Sequence, residues 1–404
     1  MAGKNRGSTM LRSAVRPGRT GRVGNGAGHE ISTGGAGAIV RPRRAAQGAA
    51  HQRAARWHLD RDDGWRIAVH HLKKDIMKIG IVGGTGNISQ PIVRLLLEQG
   101  HNVVLFNRGQ TAQVPDGVRV ILGDRHQRED FEQKMQAEKF DAAIDMICFT
   151  AEDAVSSVRA FRGVGWFVQT STTCTYGVQY DYLPVDETHP LRPNTEYGRN
   201  KVAADHVFLE AYHREKFPAV IIKPSTTYGP VQGMLRQICW DFSWIDRVKK
   251  GKPIIVCGDG FAIHQHLHVD DIARAFAGVI GREHTIGQTY NAVNRGYITW
   301  AEYHRLAGKI FGRDVELVGV PFEDLMKLNV PDAGILADEF AYNDYYSPEK
   351  LFRDAPDFHP QISLEQGMMQ VFEVMEREGR IPNSDELEWE DTIIERQRRV
   401  TRGG

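Results

Sequence analysis

The chain has 404 residues with 51 Lys+Arg against 51 Asp+Glu, a length that admits one large α/β unit or two domains. It contains no run of about 18 or more apolar residues, so no membrane-spanning helix is expected. Cys148, Cys174, Cys239 and Cys257 form no C-x-x-C pair, which argues against a disulfide framework or thiolate metal site and for the reduced thiols of a cytoplasmic protein.

The charge balance conceals an asymmetry. Residues 1–76 carry 15 Lys+Arg and 5 Asp+Glu, which leaves 36 and 46 for residues 77–404, a net +10 followed by −10. The first acidic residue is Glu30. This Gly-, Ala- and Arg-rich stretch has no sustained hydrophobic period, so a disordered basic extension is expected over 1–76. It reads as a nucleic-acid arm, as an organellar transit peptide, or as sequence upstream of a misassigned start; Met77, directly before the first strand, favours the last.

Residues 78–82 (Lys-Ile-Gly-Ile-Val) read as a buried parallel strand. Gly83, Gly84 and Gly86 follow, and residues 88–99 read as a helix with apolar positions at 88, 92, 95 and 96, closed by Gly100. Strand, glycine turn and helix make the first unit of a dinucleotide-binding fold. Glycine lets the backbone turn and approach a pyrophosphate, and free N–H groups at the helix start bind its charge. The expected contacts are Gly83, Gly84, Thr85, Gly86, Asn87 and Ile88. The spacing is Gly83-x-x-Gly86-x-x-Ser89, with a small Ser where a third glycine is usual.

A second strand at 102–106 ends in Asn107-Arg108-Gly109. An acidic residue here would hold the adenosine ribose; Asn107 with Arg108 instead makes a 2′-phosphate, and therefore NADP, admissible beside NAD. A third strand at 118–122 leads to Asp124, either an acceptor for the adenine amino group or a helix cap. A fourth, at 142–147, carries Asp145, a cofactor contact or a cap partner. The fifth, at 166–169, runs into Thr170-Ser171-Thr172-Thr173-Cys174-Thr175-Tyr176-Gly177, a hydroxyl cluster at a strand end.

Tyr197 and Lys201 stand four apart at the start of a helical stretch, so they share a face. A nearby ammonium favours the phenolate, so Lys201 is expected to lower the Tyr197 pKa below its ordinary ~10.

With residues 223–230 (Lys-Pro-Ser-Thr-Thr-Tyr-Gly-Pro), Gly258-Asp259-Gly260, 268–273 (His-Val-Asp-Asp-Ile-Ala) and 290–293 (Tyr-Asn-Ala-Val), these motifs resemble the extended short-chain dehydrogenase/reductase family over residues 77–375. The likeness is to its NAD-dependent epimerase/dehydratase type, including UDP-glucose 4-epimerase-like proteins. It implies Tyr197 as general acid/base, Lys201 on the nicotinamide ribose and Thr172 orienting the reacting oxygen. Thr173 and Cys174 replace the Asp-Glu pair of the dehydratases, which disfavours that class. His264 stands where many nucleotide-sugar enzymes place a diphosphate-binding Arg. His264, His266 and His268 alternate along a strand without an acidic neighbour in sequence, so no metal is expected. The atypical branch that this chain most resembles includes chloroplast stem-loop RNA-binding proteins.

The expected architecture is a doubly wound parallel sheet of the Rossmann type over 77–230. A smaller α/β substrate region over 231–382 sends elements back to the core, and 383–404 is expected as a polar surface tail. A helix is expected over 234–251, and another after Thr299, which has Glu302 in capping-box position. The expected function is NAD(P)-dependent epimerisation of a sugar or sugar nucleotide. A sugar dehydrogenase or reductase is the alternative, and RNA binding is an alternative of another class that the −10 body opposes. A homodimer is admissible.

Overall fold

The computed structural model describes residues 76–110 and 114–402. The expectations for 1–75 lie outside the described residues. In chain order the first half contains β1 (Lys78–Val82), α1 (Ser89–Glu98), β2 (Asn102–Asn107), β3 (Arg119–Leu122), α2 (Arg128–Glu138), β4 (Ala142–Asp145), α3 (Ala151–Ala160), β5 (Trp166–Thr170), α4 (Glu196–Glu215) and β6 (Ala219–Pro224). The second half contains β7 (Thr226–Tyr228), α5 (Ser243–Lys250), β8 (Ile254–Cys257), β9 (Ile263–His264), β10 (His266–His268), α6 (Val269–Val279), β11 (Thr289–Ala292), β12 (Ile298–Thr299), α7 (Trp300–Ile310), β13 (Leu317–Val320), α8 (Phe322–Leu325), α9 (Glu349–Asp354), α10 (Leu364–Arg377) and α11 (Trp389–Arg402).

Seven strands form a parallel sheet in the order β11-β6-β5-β4-β1-β2-β3. The order reverses at β1, so the crevice at the carboxyl ends of β1 and β4 is where a dinucleotide fold takes its ligand. Strands buried on both faces explain the unbroken apolar runs in the sequence. Ile79, Ile81, Ile92, Leu96, Ile272 and Phe276 pack on one face. On the other lie Phe106, Phe131, Phe161, Phe167, Phe208 and Phe217. Each such side chain contributes about 1.5–3 kcal/mol through burial.

The described residues fall in one unit. After β6, a second apolar cluster gathers Trp244, Trp300, Tyr303, Phe340, Met368 and Phe372, while β11 returns to the main sheet. Thr299 caps α7 and Glu302 closes the capping box.

Two expectations are corrected. The helix expected over 234–251 is confined to Ser243–Lys250. Residues 233–239 are all buried, which leaves no polar face for a surface helix. Instead, Gln237 Oε1 accepts from the Cys257 N–H at 2.9 Å, and Arg236 Nη1 donates to Glu390 Oε2 at 2.6 Å. The polar tail expected over 383–404 is also wrong. Helix α11 sends Ile393 and Ile394 into the second cluster. Its Glu390 is 1 % exposed and pairs with Arg236 and Arg247, which are 0 % and 1 % exposed. Charge in the sequence marked these residues as surface, but Glu390 finds its partners Arg236 and Arg247 inside.

Candidate active site

The turn after β1 opens into a cleft of about 310 Å³. Gly83, Gly86, Asn87 and Ile88 line one wall, while Thr172, Tyr197 and Lys201 line another. The glycine turn and the Tyr-x-x-x-Lys pair, far apart in sequence, therefore meet as expected. Gly83 has φ +84°, and a Cβ there would lie 2.7 Å from Ile147 Cγ2, so only glycine fits. At Gly86 the nearest atom to an added Cβ is Ser89 Oγ at 3.5 Å. Internal packing does not demand a glycine at 86, whereas close approach by a pyrophosphate does. Helix α1 has no side-chain cap at its start, which leaves backbone N–H groups for an anion. These residues fit a dinucleotide.

The other expected cofactor contacts have different placements. Gly84 is buried, with an added Cβ 2.4 Å from Leu105 Cδ2; its role is packing. Thr85 O accepts from Gln90 Nε2 at 3.0 Å. Asn87 is tied to Gln232 through both side-chain atoms, each contact 3.2 Å, which joins the glycine turn to the chain beyond Pro230. Asn107 Oδ1 accepts from the Gly109 N–H at 2.9 Å, and Arg108 is exposed beside it. Asp124 Oδ1 accepts from the His126 N–H at 2.9 Å and lies 3.0 Å from His126 Nδ1. These bonds hold its pKa below the usual carboxylate value. This carboxylate shapes the turn before α2 but does not cap that helix, whose N-cap is Gln127 without a side-chain bond.

Asp145 is fully buried; each of its oxygens accepts from Arg125 Nη1 at 2.9 Å, Ser157 Oγ donates to Oδ2 at 2.7 Å and the Ile147 N–H to Oδ1 at 3.0 Å. It ties β4 to α3 and does not face the cleft.

Helix α4 begins at Glu196, capped by Thr195, whose hydroxyl accepts from the Gly198 N–H. That cap sets Tyr197 and Lys201 in the first turns. Tyr197 remains 44 % exposed, while Lys201 is 1 % exposed. Lys201 Nζ donates to Thr170 O at 2.7 Å and Cys148 O at 2.9 Å, joining the ends of β4 and β5. Its third donor is left for a hydroxyl in the cleft. Thr172 Oγ1 accepts from the Cys174 N–H at 3.2 Å.

The expected effect of Lys201 on Tyr197 is corrected. The phenol pKa is raised, first by desolvation and then by the charges of Cys174 and Glu339. The ammonium lies 5.8 Å from the Tyr197 ring centre and 4.6 Å from that of Phe149, and its bonds go to backbone carbonyls. Burial in turn pushes the Lys201 pKa down. Tyr197 is therefore a protonated acid at neutral pH.

Sequence reasoning missed the support behind this site. Ser171 Oγ donates to Asp205 Oδ2 at 2.6 Å, Lys223 Nζ lies 3.7 Å from the same oxygen, and Lys223 Nζ donates to Thr175 Oγ1 at 2.7 Å. Asp205 stands four residues after Lys201 on the same helix face, a spacing that could have flagged it. Glu339 was also missed. It lies in one wide helical turn, Leu336–Phe340, where the Ala341 N–H reaches Leu336 O at 3.0 Å. Cys174 Sγ lies 3.7 Å from Glu339 Oε2.

The three histidines have separate roles. His264 Nε2 lies 2.7 Å from Thr226 Oγ1, His266 stacks on Tyr303 at 4.8 Å, and His268 accepts from the Asp270 N–H.

The family model for NAD dependent epimerases and dehydratases matches residues 79–292. A 2′-dehydrokanamycin reductase of Streptomyces kanamyceticus is 28% identical over 317 residues, which span 78% of this chain and 88% of that protein. Chloroplast stem-loop binding protein of 41 kDa b from Arabidopsis thaliana is 26% identical over 249 residues, 58% of this chain and 63% of that one. In fold, the chain is similar to the UDP-glucose 4-epimerase of Thermotoga maritima, with a TM-score of 0.61 at 19% identity over 75% of this chain and 99% of that one. None of the described helices is long and apolar enough to cross a membrane.

Proposed function

The chain belongs to the NAD dependent epimerase/dehydratase family and is an enzyme that uses a nicotinamide cofactor; from that premise we propose that it reduces a carbonyl on a sugar-type substrate, with NADPH as the preferred cofactor. The observation that carries this reading is the convergence of Tyr197, Thr172 and Lys201 on the cleft whose opposite wall is the glycine turn.

Gly83, Gly86 and the uncapped start of α1 would hold the pyrophosphate. Arg108, with no carboxylate at the end of β2, suits a 2′-phosphate. Bound there, the cofactor supplies hydride. Thr172 offers its hydroxyl to the substrate oxygen. The phenol of Tyr197, kept protonated by its surroundings, gives its proton to that oxygen as negative charge develops on it. Lys201 fixes the ends of β4 and β5 and presents its remaining N–H to the cleft.

Reduction is supported by the likeness to the 2′-dehydrokanamycin reductase of Streptomyces kanamyceticus, which extends over 78% of this chain. Epimerisation is the second reading, supported by the segments 170–177 and 223–230. In that cycle Tyr197 first takes a proton from a substrate hydroxyl, and hydride later returns to the substrate. The RNA-binding reading has the likeness to the Arabidopsis protein in its favour and the −10 of residues 77–404 against it.

Mixed with NADPH and a panel of keto sugars, the protein is expected to oxidise one NADPH per alcohol formed, followed by the absorbance of the reduced cofactor. Turnover with no net change in that absorbance would replace reduction by epimerisation.

A further inference from the structure

Two residues beyond Thr172 of the cleft, the Cys174 thiol touches Glu339, and Asp344 belongs to the same group; the reaction above uses neither carboxylate. Glu339 is partly buried, and Asp344 is 1 % exposed. His264, also 1 % exposed, completes a group whose ligand atoms lie within 4.8 Å of one another. Asp344 Oδ1 accepts from the Tyr180 hydroxyl at 2.9 Å. Asp344 Oδ2 is buried with no hydrogen-bond partner, as is His264 Nδ1, 3.2 Å away. Among the described residues, neither carboxylate forms an ion pair with Lys or Arg.

Such a pair of acids is incomplete. Burial, and for Glu339 the charge of Asp344 next, push the two carboxyls up to about 7 and about 8 respectively. Burial holds His264 down to about 4, so the imidazole is neutral and supplies no compensating charge. Among the described residues, the Glu339 side chain meets only the weak donor of the Cys174 thiol. A cation at Glu339 would draw these acids toward their ionised form, in a poorly solvated place where charge pairs are strong.

Glu339 is also close to the reacting groups. The Cys174 thiol touches it, the Cys174 N–H is bound by Thr172, and its charge acts on the Tyr197 phenol. A nucleotide diphosphate is the wrong partner here, because the group offers it no positive charge: His264 is neutral and its neighbours are carboxyls. A metal ion fits less well than an ammonium. One oxygen of Asp344 is already bound by Tyr180, and tetrahedral ligands at about 2.0–2.1 Å from a metal stand closer together than the spread of this group.

We infer that Glu339, backed by Asp344, recognises a basic amine on the substrate, so that the cleft takes an amino sugar rather than a nucleotide-linked one. This rests on the reading of the cleft as a sugar-carbonyl site. The amine would place its N–H groups on the Glu339 carboxylate while the carbonyl lies at Thr172 and Tyr197. Glu339 is then a specificity-determining residue.

The test measures equilibrium binding of glucosamine, galactosamine and mannosamine, each against its N-acetyl form, to the full chain with and without saturating NADPH. At least one free amine is expected to bind about 10- to 100-fold more tightly than its acetylated form, as a hydrogen bond to a charged group implies. Glu339→Gln should abolish that preference and leave NADPH binding, followed by cofactor fluorescence, unchanged. Equal affinity for the two forms, or no binding of any amine, overturns the inference even if Glu339→Gln fails to fold. A preference that survives Glu339→Gln also overturns it. Tight Zn²⁺ binding that both Glu339→Gln and His264→Ala abolish would make the group a metal centre instead and overturn it. Failure to bind NADPH, with the amine preference intact, would overturn the reductase reading and leave this inference standing.

Discussion

Tyr197→Phe is expected to lower the rate of carbonyl reduction by about 100- to 10,000-fold, the usual contribution of a positioned acid or base, while folding and cofactor binding stay near native. The ring itself is 44 % exposed and keeps its neighbour Phe149, with ring centres 6.4 Å apart. Removing the hydroxyl leaves no buried group stranded, because Thr172 still accepts from the Cys174 N–H. The turn holding Tyr197 is fixed by the Thr195 cap and by Lys201, neither of which depends on the phenol. The check is a pair of measurements on one preparation: steady-state turnover, and NADPH affinity. Turnover within about threefold of the parent would remove Tyr197 from the chemistry, since a lost proton donor costs far more than that.

Glu390→Ala is expected to cost about 3–5 kcal/mol of stability, the range for breaking a buried ion pair from one side. Glu390 receives both ends of the Arg236 guanidinium, lies 3.3 Å from Arg247 Nε, and accepts from the Ile255 N–H at 3.0 Å. Without it, Arg236 retains a contact of 3.5 Å to Asp241, and Arg247 keeps Asp391 at 2.7 Å. Arg236 is fully buried, so its charge is left almost uncompensated. Denaturant unfolding should show the loss as a shift of midpoint with little change of slope. A loss below about 1 kcal/mol, typical of a surface pair, would mean that α11 is the peripheral tail first expected from its composition.

What could be read in the chain was mostly what repeats locally. The apolar run of β1, the three glycines and the amphipathic α1 are each encoded within a few residues, and they place the cleft. Four-residue spacing put Tyr197 and Lys201 on one helix face, and the Thr299–Glu302 capping box lies within one turn. Spacing could not say where the Lys201 ammonium would point. Its acceptors are the carbonyls of Cys148 and Thr170, at the ends of two other strands, so the inferred lowering of the Tyr197 pKa had the wrong sign. Arg125 carried no signal in the sequence, because its partner, Asp145, is 20 residues away. Glu339 and Asp344 carry no local signal at all: one lies in a wide helical turn and the other in a loop, and only the fold brings them to Cys174 and His264. The buried 233–239 stretch misled for the opposite reason. Its apolar residues suggested a helical face, but Arg236 and Gln237 are buried with them, and each finds its partner far along the chain.

The most direct test of the central claim follows the hydride itself. NADPH carrying deuterium at the transferable nicotinamide position is incubated with the protein and a keto amino sugar, and the product is examined by mass spectrometry and NMR. The account predicts one deuterium on the carbon that was the carbonyl, one NADP⁺ for each alcohol, and loss of both signals in Tyr197→Phe. An isomerised sugar without deuterium, formed while the amount of reduced cofactor stays constant, would contradict it.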